Sequence, residues 1–253
     1  DFKHYARASL ARRINKALDK AGLEHVSEMI PRILYEPGFF ESFFLSLTVG
    51  LTEMFRDPLF FKALREKVLN YLRTYPFLRI WVAGCSTGEE VYSLAILLFE
   101  EGLYKRCIIY ATDYNDQALE NARLGIFPAK EMKKNTRNYQ DAGGKASFAD
   151  YYHADYDAVI MSRHLKENIV FANHNLATDE VFGEMNIIFC RNVLIYFDSV
   201  LQNRVLDLFQ RSLCYNGLLC LGRKESLECC KAETYFKPFI AKEKVYQKKL
   251  NTA

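Results

Sequence analysis

One stretch, "WVAGCSTGEEVYSLAILL" from Trp81 to Leu98, restricts the possible folds more than any other. Ile80-Trp81-Val82-Ala83 reads as a buried strand, Gly84 to Gly88 as a tight loop, and Glu89 to Glu101 as a helix. The alternation continues with Cys107 to Ala111 as a strand and Asn115 to Leu124 as a helix. Strand, helix and strand in succession argue for a parallel, doubly wound sheet. In such a sheet the first strand-to-helix turn is where a nucleotide-like ligand is held, and glycine lets the backbone approach it closely.

The turn also says which ligand. Its glycines are not spaced as G-x-G-x-x-G, and no phosphate-loop lysine is present. Carboxylates stand where a dinucleotide's phosphates would lie, which disfavours pyrophosphate, whereas Glu89 suits a ligand carrying an ammonium group. Asp113, about two dozen residues beyond the glycine turn at the end of the second strand, is placed to accept both hydroxyls of a ribose. The competing readings are ordinary: acids favour a helix N-terminus, and Asp113 or Asn115 could cap the helix that follows. Ribose plus ammonium, with no phosphate site, describes S-adenosylmethionine.

Around this unit, residues 1–75 read as an N-terminal helical domain. Leu10, Ile14, Ala17, Leu18 and Ala21 recur at helical spacing before Gly22, and Asp57-Pro58 opens a further helix. Residues 76–250 read as the sheet domain. Between about 128 and 174 the alternation pauses in a turn-rich, Tyr-rich stretch, expected to be a small antiparallel β insertion ending in Asn168 to Ala172. A helix over Ser199 to Leu213, a strand at Leu218 to Gly222 and a last pair near Phe239 and Val245-Tyr246 complete the pattern.

Within it, "IIFCRNVLIYFD" (Ile187 to Asp198) is anomalous. Ile187, Ile188 and Phe189 suit a buried strand, which Val193, Leu194 and Ile195 could continue. Arg191 and Asn192 interrupt it, and a guanidinium does not enter a sheet without a partner. At the carboxyl end of a central strand, Asn192 would offer donor and acceptor to an amino-acid moiety, with Arg191 pairing a carboxylate of the ligand or of the protein. The plainer alternative is a surface pair of Arg191 with Asp198 and a capping Asn192.

Composition sets outer limits. Half the residues are hydrophobic and the net charge is only +3, an ordinary soluble profile without a nucleic-acid binder's basic excess. No apolar run reaches the roughly 18 residues of a membrane span. The seven cysteines are odd in number and form no CxxC pair, so neither a zinc site nor a disulfide framework is indicated, and a reducing cytoplasm is the expected location. The chain begins with Asp rather than Met, so a native start is expected to lie upstream. Basic residues crowd the first helix, where Arg7, Arg12, Arg13 and Lys16 are either a solvated face or a docking surface for an acidic partner.

The pieces "LTEMFRD", "AGCSTGEEVYSLA", "ATDYNDQALENARLGIF", "VFANHNL" and "FCRNVLIYFD" occur in an order that resembles the CheR-type methyltransferases, which methylate glutamates on bacterial chemoreceptors. The likeness spans nearly the whole chain, and "STGEE" with "CRNVLIYFD" carries most of its specificity. It implies an α/β fold: an N-terminal helical domain, then a doubly wound, mostly parallel S-adenosylmethionine-binding sheet with a small antiparallel β insertion. Carried over residue by residue, it implies cofactor contacts at Thr52, Arg56, Gly84, Glu89, Asp113, Asn175, Leu176, Arg191, Asn192 and Val193, with Gly50 standing where the family commonly has Asn. Arg56 and Tyr196 match positions in the substrate cleft and are the expected catalytic pair. Gly222-Arg223-Lys224-Glu225 replaces the family's common Gly-His-Ser-Glu.

The resemblance implies S-adenosylmethionine as cofactor, S-adenosylhomocysteine as product and no metal. Its implied partner is a glutamate-rich helical region of a chemoreceptor or related signalling protein, with neither nucleic acid nor membrane insertion involved. Two alternatives stay open, a nucleic-acid methyltransferase and a non-catalytic scaffold that senses the cofactor.

Overall fold

A computed structural model of the chain describes residues 3–48, 52–228 and 230–249. The N-terminal part is helical, with α1 over Arg7–Ala21, α2 over Val26–Tyr35 and α3 over Pro37–Thr48. Gly22 ends α1 in the left-handed conformation (φ 66°), as its place after the last apolar repeat predicts. Pro58 then starts α4 (Pro58–Ala63), which runs through a π-helical turn at Leu64–Val68 into α5 (Leu69–Leu72). This helical run is no surface appendage: Phe60, Phe61, Leu64, Val68, Leu69 and Leu72 are all buried in the main core.

The rest is strand–helix alternation: β1 (Leu78–Ala83), α6 (Glu89–Glu100), β2 (Cys107–Asp113), α7 (Asp116–Leu124), β3 (Ile126–Pro128), α8 (Met132–Asp141), β4 (Tyr152–Asp155), β5 (Ala158–Met161), β6 (Ile169–Asn173), β7 (Met185–Cys190), α9 (Ser199–Ser212), β8 (Leu213–Leu221), β9 (Phe236–Ile240) and β10 (Val245–Lys248). Seven strands form one sheet in the order β6-β2-β1-β7-β8-β10-β9. The first five are mutually parallel, and β10 pairs antiparallel with both β8 and β9. Strands β1 and β7, buried on both faces, need apolar side chains throughout, which is why Ile80-Trp81-Val82 and Ile187-Ile188-Phe189 read as continuous runs rather than alternations.

From β1 the chain winds outward through β2 to β6, then returns to β7 on the other side of β1. The winding direction thus reverses between β1 and β7, and a crevice opens above their carboxyl ends. The two segments that stood out in the sequence, Gly84–Gly88 and Arg191–Asn192, are the continuations of these two strands.

The insertion is a three-stranded antiparallel sheet in the order β3-β5-β4. Its limits differ from the expected 128–174. Ile126 and Phe127 already pair with β5, and α8 lies inside it. Ile169–Asn173 does not close the insertion but joins the main sheet parallel to β2. A short run such as Ile169-Val170-Phe171 fits either sheet locally, so only pairing over long sequence distance decides. The strand at Ile187 also stops at Cys190, and Leu194–Tyr196 forms a 3₁₀ turn instead of continuing it. No helix of the described residues is long and apolar enough to cross a membrane.

Candidate functional site

The floor of the crevice is the loop after β1. Gly84 adopts φ +73°, and a Cβ there would lie 2.6 Å from Val193 Cγ2, so only glycine lets the two loops touch. The N–H groups of Gly84 and Cys85 both donate to Thr112 O, at 2.8 and 2.9 Å, tying the loop to the end of β2. Ser86 follows in the left-handed region and donates its N–H to Asp113 Oδ2 at 2.8 Å, while Asn115 N–H reaches Asp113 Oδ1 at 3.0 Å. Asp113 is therefore fixed by two backbone donors, with further lone pairs available to a ligand. Burial raises its carboxyl pKa, and these N–H donors oppose that rise. Asn115, not Asp113, caps α7, through its side-chain oxygen and Ala118 N–H.

A cleft enclosing about 1050 Å³, its open mouth included, sits above this floor. Thr52, Arg56, Gly84, Asp113, Asn175, Leu176, Arg191, Asn192, Val193 and Tyr196 all line it. These come from five separated segments of the chain, which the topology gathers at the reversal between β1 and β7. Gly50 lies outside the described residues.

Glu89 is placed differently: it is not among the lining residues, and its carboxylate accepts a hydrogen bond from Thr87 Oγ1 at 2.7 Å. Its neighbour Glu90 lines the cleft instead. Successive helix residues point about 100° apart, so the first turn of α6 cannot aim both acids the same way.

Arg191 answers the puzzle of its own position. Its side chain is fully buried, and Nη1 and Nη2 pair with Glu90 Oε2 and Asp57 Oδ2, each at 2.8 Å. A further donation from Nη2 reaches the carbonyl of Arg56 at 3.2 Å, and the guanidinium lies 4.1 Å from the Phe60 ring centroid. The guanidinium is thus held by the protein's own acids. Asp198 plays no part: it accepts from His4 Nδ1 and from Leu201 N–H, each at 2.9 Å, capping α9. Burial raises the Glu90 carboxyl pKa, and Arg191 counteracts the rise.

Arg56 is presented by a strained segment. Its neighbours Phe55 and Asp57 both have positive φ, 52° and 58°, values that bulky residues adopt only when the surroundings impose them. Here they do. Phe55 is fully buried with its N–H on Ser93 Oγ at 2.8 Å, and the Met54 backbone is gripped by Asn135 and Asn138 of α8. The half-buried Tyr196 ring lies beneath the Arg13 guanidinium, 4.3 Å from its centroid. Arg13 itself lines the cleft, while Arg7, Arg12 and Lys16 are exposed on α1.

Sequence reasoning did not find Tyr5, Ser86, Glu90 or His174, all of which line the cleft. Ser86 and Glu90 sit inside the recognised "STGEE" piece, so the signal was present without its aim. Tyr5 arrives because the N-terminal segment crosses the turn after β7: Tyr5 bridges to Phe197, and Ala6 N–H donates to Tyr196 O at 2.8 Å. Buried polar atoms of the wall, Ser86 Oγ, His174 Nδ1 and Arg191 Nε among them, have no hydrogen-bond partner among the described residues. A wall with open hydrogen-bonding positions, a carboxylate at the end of β2 and an Asn amide opposite suits a nucleoside joined to an amino acid. Among the described residues no group of three or more His, Cys, Asp and Glu side chains could hold a metal.

Comparison with known proteins shows the family. The family described as CheR methyltransferase, SAM binding domain, matches residues 50–245. A Pseudomonas putida protein named Cher3 is 48% identical over 248 residues, covering 98% of this chain and 91% of that protein. The chemotaxis protein methyltransferase of Escherichia coli is 33% identical over 202 residues, 75% of this chain and 65% of its own length. Chemotaxis protein methyltransferase 2 of Pseudomonas aeruginosa is 32% identical over 218 residues, 85% of this chain and 76% of its own.

Proposed function

The chain belongs to the CheR methyltransferase family, and from that premise we propose that it methylates glutamate side chains of a chemoreceptor or chemosensory-type signalling protein. The products are glutamyl methyl esters and S-adenosylhomocysteine. Relatives that carry the name chemotaxis protein methyltransferase support this choice of acceptor.

The observation that carries the reading is that Arg56 and Tyr196 line the same cleft as Asp113 and Asn192. The nucleoside–amino-acid pocket thereby opens directly beside a cation and an aromatic hydroxyl suited to a carboxylate. We assign Asp113 to the ribose hydroxyls and Asn175-Leu176 to the adenine. Asn192-Val193 would face the amino-acid end, and Arg191 is held to its structural pairs. Gly84 would supply close approach, Thr52 a polar contact, and Glu90 a carboxylate for the ammonium group.

The bound cofactor supplies a sulfonium methyl, an electrophile that an ionised carboxylate attacks without help. A glutamate is ionised at neutral pH, so the protein needs no general base. Its work is to align the acceptor oxygen and exclude water. A tight Arg56–carboxylate pair would stabilise the ground state more than the charge-dispersed transition state, so Arg56 serves to orient and Tyr196 to shape the cleft.

The test is incubation with labelled S-adenosylmethionine and a candidate receptor. Label that is protein-bound and released by mild base supports the proposal. Base-stable label, label on nucleic acid, or no transfer by protein that binds the cofactor contradicts it.

A further inference from the structure

Outside the residues already assigned, Glu225 is a buried carboxylate with an unusual set of partners. It is 4% exposed. Oε2 accepts the N–H of Gly222 at 2.6 Å and of Asn192 at 3.0 Å, and Oε1 accepts those of Val193 at 2.9 Å and Ile195 at 3.3 Å. All four donors are backbone amides. Three belong to the turn that leaves β7, and the fourth to the turn that leaves β8.

That turn needs holding. Asn192 sits at φ +61°, and Val193 stands against Gly84 so closely that a Cβ on the glycine would collide with it. Displacing the turn by a fraction of an ångström would narrow or widen the cleft between the two loops. Gly222 completes the arrangement: a Cβ there would lie 2.8 Å from Glu225 Oε2, 2.9 Å from Asn192 N and 3.0 Å from Asn192 Nδ2. Glycine at 222 therefore lets the carboxylate and the turn come together. Burial raises the Glu225 carboxyl pKa while the amide donors favour its charged form.

We propose that Glu225 is a positioning residue for the cofactor: its carboxylate holds Asn192 and Val193 where the Asn192 amide meets the amino-acid end of S-adenosylmethionine. This rests on the reading of the cleft as the cofactor site. It also explains how Arg223-Lys224 can depart from the family pattern while Gly222 and Glu225 keep it, since Arg223 and Lys224 are exposed and the two residues flanking them are buried.

The test is calorimetry of the full chain with S-adenosylhomocysteine. Glu225→Gln keeps the side chain's size but turns an NH₂ toward amide donors. Its Kd should rise about tenfold, the scale of one buried donor left unsatisfied. Gly222→Ala, with Glu225 intact, should weaken binding in the same direction and covers the case in which Glu225→Gln does not fold. Val205→Ala, on the buried face of α9, should lower Tm and leave Kd unchanged. In transfer assays the KM for S-adenosylmethionine should rise while that for the protein acceptor stays constant, a split that general loosening would not give. Wild-type affinity in folded Glu225→Gln, or in Gly222→Ala should Glu225→Gln not fold, overturns the assignment and leaves the cofactor site standing. Failure of the wild-type protein to bind overturns both.

Discussion

Arg191 Nη2 lies 2.8 Å from Asp57 Oδ2, joining the turn after β7 to the segment that carries Arg56. The two residues are 134 positions apart in sequence. This pair and the bond from Arg191 to the Arg56 carbonyl tie the wall of the cleft to the segment that carries Arg56.

Removing the guanidinium should therefore be costly. Arg191→Ala leaves Glu90 and Asp57 in a mostly buried setting without their counter-ion, and should lower stability by about 3 kcal/mol. Arg191→Lys keeps the charge but cannot span both acids with one planar fork, and should fall between the two. Urea denaturation of the three proteins gives the order directly.

Arg56→Ala should separate chemistry from folding. The backbone of this segment is held by bonds at Phe55, Met54 and Arg191, all of which the substitution leaves in place. Methyl transfer should drop about 100-fold, the scale of a misoriented reactant, with an unchanged near-ultraviolet circular dichroism spectrum. Normal turnover would remove Arg56 from the mechanism.

The basic residues of α1 should divide into two groups. Arg12 and Lys16 are exposed, so reversing both to Glu should raise the KM for an acidic acceptor about fivefold with little change in kcat, since rim charges govern encounter. Arg13, stacked on Tyr196 at the cleft, should act on the site instead. Arg13→Ala should raise the Kd for S-adenosylhomocysteine, which the double reversal should not. An unchanged KM in the double variant would argue against α1 as the docking face.

Acid sensitivity should trace to Glu100. It accepts the hydroxyls of Tyr139 and Tyr151, the Lys145 N–H and Arg65 Nη2, binding α6 to the insertion and to the helical run before β1. Although burial alone would raise it, the hydrogen bonds prevail and hold its carboxyl below the ordinary value of 4.5. A depressed carboxyl contributes stability that is complete above its unfolded pKa and lost as pH falls through the lower folded one. Wild-type Tm should exceed that of Glu100→Gln at pH 7, and the gap should shrink as the pH falls below the ordinary value of 4.5. A gap constant from pH 7 to 3 would contradict this.

Much of the architecture was legible because it is written in local pattern. The apolar runs at Ile80 and Ile187, the glycine turn between Gly84 and Gly88, and Asp113 at the end of β2 mark a doubly wound sheet by themselves. What escaped depends on partners distant in sequence. Ile169-Val170-Phe171 belongs to the main sheet only because β2 is there to pair with it. Glu89 and Glu90 are indistinguishable as letters, and helix geometry alone decides which one lines the cleft. Arg191 was recognisable as a residue needing a partner, but the partners, Asp57 and Glu90, could not be read from the string. Glu225 looked like part of a divergent tetrapeptide until its four amide donors were in view.

The most direct measurement is a crystal structure with S-adenosylhomocysteine. The ribose hydroxyls should lie on Asp113 above the Gly84–Gly88 turn, with the amino-acid end against Asn192. A well-ordered ligand bound elsewhere, or crystals that take up none at saturating concentration with the cleft open to solvent, would contradict it.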